Sequence, residues 1–295
     1  MGRRGRSHEA RGGSSRVLLA ILAISCGKSA PPPRSLVEDK ARRDVPIAIC
    51  TKPLGPTDVN ESGAPRAEAY WGALVPSFRD FNTTFEAVDC VGQPLDTRAR
   101  PAGMAATHVS SADSTVSAVP DGTQLVWLRS SMLSERKASG LLALVRPRPS
   151  QLDVYAIGSY AGSAAHSRFE LASIGAVRVV AARDEGCADV KVDVECESTL
   201  SFYVVAGGQL LAAAATPAER LKYSTLKDVG RVKWRLTTEP PIFAPQAVRI
   251  KEKLSVHDAG DNEVRKLEGE RIFTFRGADL VANAESVWAQ VDRRP

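Results

Sequence analysis

The stretch Val248-Arg249-Ile250-Lys251-Glu252-Lys253-Leu254-Ser255-Val256-His257 decides the fold class. Val248, Ile250, Leu254 and Val256 alternate with Arg249, Lys251, Lys253, Ser255 and His257, a period of two that sorts apolar and polar side chains to opposite faces of a strand. The pattern recurs in Val232, Trp234, Leu236 and Thr238 against Arg231, Lys233, Arg235 and Thr237. It recurs again in Val190, Val192 and Val194 against Asp189, Lys191, Asp193 and Glu195. One dry face and one wet face are the habit of antiparallel sheets. Glu252 interrupts the dry face between Ile250 and Leu254. A carboxylate there is costly unless paired, so its position calls for a rim, a bulge or an arginine opposite; contact with a ligand is the functional alternative.

Working outward, Gly140–Arg146, Leu152–Ile157, Ala176–Ala182 and Leu200–Ala206 are evenly apolar and predict strands at the centre of a sandwich or barrel. Gly207-Gly208 separates two apolar runs by two residues, a strong hairpin signal, and Asp258-Ala259-Gly260-Asp261-Asn262 serves the same purpose before Val264. The expected fold is mainly β, an antiparallel β-sandwich or barrel with a small mixed N-terminal portion. That portion holds a strand over Pro46–Cys50, a helix over Ala64–Trp71 with Pro65 near its start, and a strand over Phe81–Val91. Asp96–Gly122, rich in Ser, Ala, Thr and Pro, reads as a long loop, with a soft internal boundary about 97–122. No fixed-period repeat points to a propeller, and no G-x-G-x-x-G opens a βαβ unit for a nucleotide.

The N-terminus carries an address. Arg3, Arg4, Arg6, Arg11 and Arg16 precede the apolar run Val17–Ser25, and Cys26 follows it. A basic leader, a short apolar core and small residues before the cut describe an export signal. The run is far shorter than the ~20 residues that a spanning helix needs. Ala23-Ile24-Ser25-Cys26 resembles a bacterial lipobox, with Ala23 standing where leucine is usual. The resemblance implies a diacylglyceryl thioether on Cys26 and an acylated new N-terminus, together a stable anchor. Ala23-x-Ser25 also suits ordinary signal peptidase, which would leave a secreted protein. Gly27 after the cysteine, by analogy with sorting in enteric bacteria, favours the outer membrane. The organisation expected is a signal peptide (1–25), a Pro-rich charged tether (26–45) around Ala30-Pro31-Pro32-Pro33, and a globular domain (46–295).

Charge and cysteine usage agree with export. Of 39 Lys and Arg, five lie in residues 1–25, against one of 34 Asp and Glu, leaving 34 cations and 33 anions from Cys26 onward. Beyond the tether the numbers are 29 and 30, so the pI near 9.0 belongs to the signal. Nucleic-acid binding has no support on that basis. Cys50, Cys90, Cys187 and Cys196 form an even set in a compartment that permits disulfides. The local pairings Cys50–Cys90 and Cys187–Cys196 are the simplest of three. No C-x-x-C spacing favours zinc, and neither a metal nor a cofactor is expected.

Catalytic patterns are thin. Ser224-Thr225-Leu226-Lys227 and Ser134-Glu135-Arg136-Lys137 both match the S-x-x-K of penicillin-binding enzymes, without the companion elements. Ser159 lacks the G-x-S-x-G spacing. His108, His166 and His257 are scattered, and no general base can be assigned among them. The carboxylates Asp184, Glu185, Asp189, Asp193, Glu195 and Glu197 read as a solvated hairpin, not a converging calcium loop. The suggestive feature is basic: Arg231, Lys233 and Arg235 share one strand face and Arg249, Lys251 and Lys253 another. Paired as a hairpin around Glu239–Gln246, they would form a candidate anion-binding face beside a Pro-rich loop bearing Phe243. Charged edges that block strand pairing are the plainer reading.

The expectation is therefore an exported, lipid-anchored cell-envelope protein with a non-enzymatic binding or interaction role. Its partners would be the membrane, through the Cys26 anchor, and an envelope protein or anionic lipid. A lipocalin-like carrier of a hydrophobic small molecule and an envelope hydrolase are the alternatives.

Overall fold

The computed structural model describes residues 47–75, 84–85, 90, 92, 107–108, 114–134, 136–185, 187 and 194–292. The expected signal peptide, Cys26 and the tether lie outside the described residues. So do most of Phe81–Val91 and residues 189–193 of the predicted strand Asp189–Glu195, whose described end, Val194 and Glu195, precedes the strand that begins at Cys196.

In chain order, β1 (Cys50–Pro53) and a 3-10 turn (Pro56–Asp58) precede helix α1 (Ala67–Leu74). β2 (Thr84–Phe85) and β3 (Thr107–His108) form a small ladder of their own. The main sheet comprises β4 (Ser114–Ala118), β5 (Gln124–Met132), β6 (Lys137–Arg148) and β7 (Gln151–Ser163), with β1 joined to it through β7. It continues through β8 (Ser167–Ile174), β9 (Val177–Asp184), β10 (Cys196–Ala206) and the long β11 (Gln209–Leu226). β12 (Gly230–Thr238), β13 (Ile242–Ala244), β14 (Ala247–His257), β15 (Glu263–Arg276) and β16 (Asp279–Ala282) follow, and α2 (Ala289–Asp292) comes last. One path runs β16-β15-β14-β12-β11-β7-β6-β5-β4, with β1, β8, β9, β10 and β13 joined at its sides. Pairing is antiparallel except for a single parallel contact of Gln209 with Ile157.

The mainly β expectation holds, but the sheet does not close into a barrel; it folds over itself in layers. β9 and β10 lie in the middle. Val180, Ala182, Tyr203 and Val205 pack against the layer of β5, β6 and β7. Val179, Ala181, Phe202 and Val204 pack the other way, against β14 to β16. Burial on both faces explains why these strands read as evenly apolar rather than alternating. The β5–β7 layer is likewise covered twice, its outer face by Tyr70, Trp71 and Leu74 of α1. Trp71 and Leu74 are fully buried, each side chain contributing roughly 1.5–3 kcal/mol or more.

Local chemistry sets the turns. Gly207 and Gly208 take φ of 61° and 75°, the double left-handed pair of a two-residue hairpin, and join Ala206 to Gln209. At the β14–β15 turn the Asp258 carboxylate accepts from the Gly260 and Asn262 amides. Three elements depart from the expectations. The first strand begins at Cys50 instead of ending there. The supposed loop Asp96–Gly122 contains the two-residue β3 and also β4, hidden because Ser114-Thr115-Val116-Ser117-Ala118 is an edge strand with little apolar side to show. β11 runs through Pro217 to Leu226, since the register shift opposite Ser198 and Thr199 makes a bulge, where the ladder tolerates proline.

Candidate functional site

The long hairpin expected around Glu239–Gln246 forms: β12 pairs with β14, Lys233 opposite His257 and Thr237 opposite Lys253. That register puts Arg231, Lys233, Arg235, Arg249, Lys251 and Lys253 on one sheet face. Neighbouring strands add carboxylates to the same face. Lys251 and Lys253 stand opposite Glu270 and Glu268 of β15, and Thr237 opposite Glu219 of β11. Arg235 donates from Nε (3.1 Å) and Nη2 (2.8 Å) to Glu219 Oε1. Lys233 Nζ is 3.4 Å from Asp261, and Lys251 Nζ 3.9 Å from Glu239. The Arg231 guanidinium lies 5.1 Å from the Tyr223 ring centroid. Lys266 beside it, with Lys253 and Lys251 further off, holds the Glu268 carboxyl below its ordinary value. The face is thus a lattice of both signs, not a uniformly basic patch. Phe243 does not join it: the ring turns inward, 6.4 Å from Phe202, against the core.

Glu252 answers the question its position raised. Its carboxylate is fully buried, and Oε1 accepts from Arg271 Nη1 at 3.2 Å. Oε2 accepts from Ser286 Oγ (2.8 Å) and the Val287 amide (2.9 Å). Arg271 also donates to Thr216 Oγ1 (2.5 Å) and the Ala284 carbonyl (3.1 Å). An arginine on the neighbouring strand is therefore the solution, Arg271 standing diagonal to Glu252 beyond Gly269, and the group ties the C-terminal segment to the sheet. It also marks a border. Val248 and Ile250 belong to the core shared with β9 and β10, whereas Leu254 and Val256 belong to a separate core capped by Trp288 and Val291.

The remaining candidates are engaged in the fold. Ser224 Oγ accepts from the Trp234 indole at 2.7 Å, while Lys227 sits in an exposed turn. Ser134 caps a turn by accepting from the Arg136 and Lys137 amides. Ser159 is buried within β7. His257 Nδ1 lies 3.2 Å from the Asp261 carbonyl, and the His166 amide donates to Ser163 Oγ. The side chain of His108 lies outside the described residues. Asp184 is buried, accepting from the Ser163 amide and pairing with Lys137 at 3.6 Å. Glu197 pairs with Arg220, and Glu195 accepts from the Tyr223 amide. Asp189 and Asp193 lie outside the described residues, among which no group of His, Cys, Asp and Glu is placed to hold a metal. Cys50 bonds to Cys90 and Cys187 to Cys196, the two local pairings.

One feature escaped sequence reasoning: a cleft of about 500 Å³ where the β8–β10 layer parts from the end of β12. Arg168, Arg183 and Leu200 stand side by side across three strands. Ala181 lies one row further in, and Pro240 and Pro241 form the opposite wall. Glu185 at the mouth is 3.1 Å from Arg168 Nε and 3.8 Å from Arg183 Nε. Arg183 Nη2 donates to the Thr238 carbonyl at 3.2 Å. Its residues come from four separated segments, so no local spacing announces it.

No protein-family model, curated protein or solved structure matches the chain.

Proposed function

We propose that the chain is an exported cell-envelope protein, anchored through lipid on Cys26, whose folded part is a non-enzymatic interaction module for a protein partner. The anchor rests on the arginine leader, the short apolar run and the lipobox-like Ala23–Cys26. The observation that carries the interaction role is the broad face of β11, β12, β14 and β15, on which cations and carboxylates alternate on paired strands. Matching potentials across an interface set partner choice and association rate. Interleaved carboxylates suit a partner of opposite pattern better than a uniformly anionic lipid surface. The sheet stays open, which favours this role over a lipocalin-like carrier that encloses its ligand in a closed barrel.

Two measurements test the halves separately. Cys26→Ala should move the protein from the membrane fraction to the soluble envelope fraction; retention on membranes refutes the anchor. A photo-crosslinking residue in place of Lys253 or Arg235 should give a discrete protein adduct in intact cells that high salt weakens. The same residue at Ser150, in the exposed β6–β7 turn, should not. Equal adducts from all three positions, or none, refute the face.

A further inference from the structure

We propose that the cleft between the β8–β10 layer and the Pro240-Pro241 crossover binds a small amphiphilic anion, an apolar body carrying one carboxylate or sulfonate. This goes beyond the interaction role and does not depend on it. Three observations converge. The inner wall is apolar: Ala181 and Leu200 line it, both buried in the core cluster that includes Phe202. Two guanidiniums stand at the mouth, Arg183 a quarter exposed and Arg168 78% exposed. Both guanidiniums face the Glu185 carboxylate, and the Arg183 contact is long at 3.8 Å; Glu170, opposite Ala181, also lines the cleft but is in no ion pair with either arginine.

A guanidinium offers five N–H donors in a planar fork suited to a carboxylate or sulfonate. Arg183 is oriented by the Thr238 carbonyl, so its fork is fixed before a ligand arrives. Arg168 is the exposed partner of its pair with Glu185, and ion pairs that reach solvent contribute little. An incoming anion can take the place of Glu185 on Arg168 while its tail leaves water between Leu200 and the prolines. A volume near 500 Å³ is within the range of small-molecule sites.

The test uses the full mature chain made from the Cys26→Ala precursor, so that no detergent competes, and 1-anilinonaphthalene-8-sulfonate as probe. We expect saturable fluorescence enhancement at one site per chain, displaced by decanoate and not by decanol. Arg183→Ala should weaken the probe at least tenfold, and Arg168→Ala at least threefold. Arg168→Ala is the decisive variant, because so exposed a side chain can be removed without loss of fold, and an unchanged unfolding midpoint verifies this. Absence of saturable binding, smaller effects in a folded Arg168→Ala protein, or displacement by decanol as readily as by decanoate each overturn the assignment.

Discussion

At the scale of single residues, two buried carboxylates show how a polar group is tolerated inside an apolar sheet. Glu252 takes donors from Arg271, Ser286 and Val287, which offsets its desolvation. Glu252→Ala would strand the nearly buried Arg271 charge and cost about 3–5 kcal/mol. Denaturant unfolding should show this loss, and a double Glu252→Leu, Arg271→Met variant should recover part of it. Asp153 is the second case. Burial alone would push its carboxyl up, but hydrogen bonds from Arg148, Thr51 and Gln151 bring it below the ordinary value. A depressed carboxyl stabilises the fold above its unfolded value of about 3.9, and this stabilisation is lost as pH falls through the lower folded value. The unfolding midpoint should therefore drop on acidification below about pH 4, and Asp153→Asn should flatten that drop. An unaltered slope in the variant would assign acid sensitivity elsewhere.

At the scale of elements, the C-terminal segment behaves as a strap. The Asn283 amide donates to the Ile272 carbonyl, Ser286 and Val287 bond to Glu252, and Trp288 then plugs the apolar face of β12 and β14. Arg220 lies over the Trp288 ring at 5.1 Å. So short a helix depends on the packing of Trp288 and Val291 into this core, because four residues cannot sustain a helix alone. Trp288→Ala should cost about 3–5 kcal/mol. Hydrogen exchange should locate the loss, with amides of 284–291 opening first while β6 and β7 keep their protection. Uniform loss of protection across both regions would show that the strap is inseparable from the rest.

At the scale of the whole molecule, the shared middle layer is the decisive feature. β9 and β10 contribute to two cores at once, so the β5–β7 layer and the β14–β16 layer each bury one face against the same pair of strands. Unfolding should then be one event. Far-ultraviolet dichroism and tryptophan fluorescence should give coincident transitions, since Trp71 and Trp127 report the first layer and Trp234 and Trp288 the last. Two separated transitions would mean that the layers fold independently.

Much of this was legible in the residues. Period-two alternation fixes which faces of β12 and β14 are dry, because the side-chain period of a strand is a local property. Gly207-Gly208 fixes the β10–β11 hairpin for the same local reason, and even apolar runs mark strands that are covered twice. The pairing of cysteines and the arginine partner of Glu252 were open alternatives that the fold resolved. What the sequence could not supply was anything set by distant segments meeting. Whether the sheet closes or folds into layers depends on bulges and crossovers whose effects accumulate over many strands. The carboxylates that thread the basic face come from β11, β15 and two loops, and the cleft joins Arg168 and Arg183 to prolines more than fifty residues away. Local patterning decides what each strand presents; only tertiary packing decides what it is presented to.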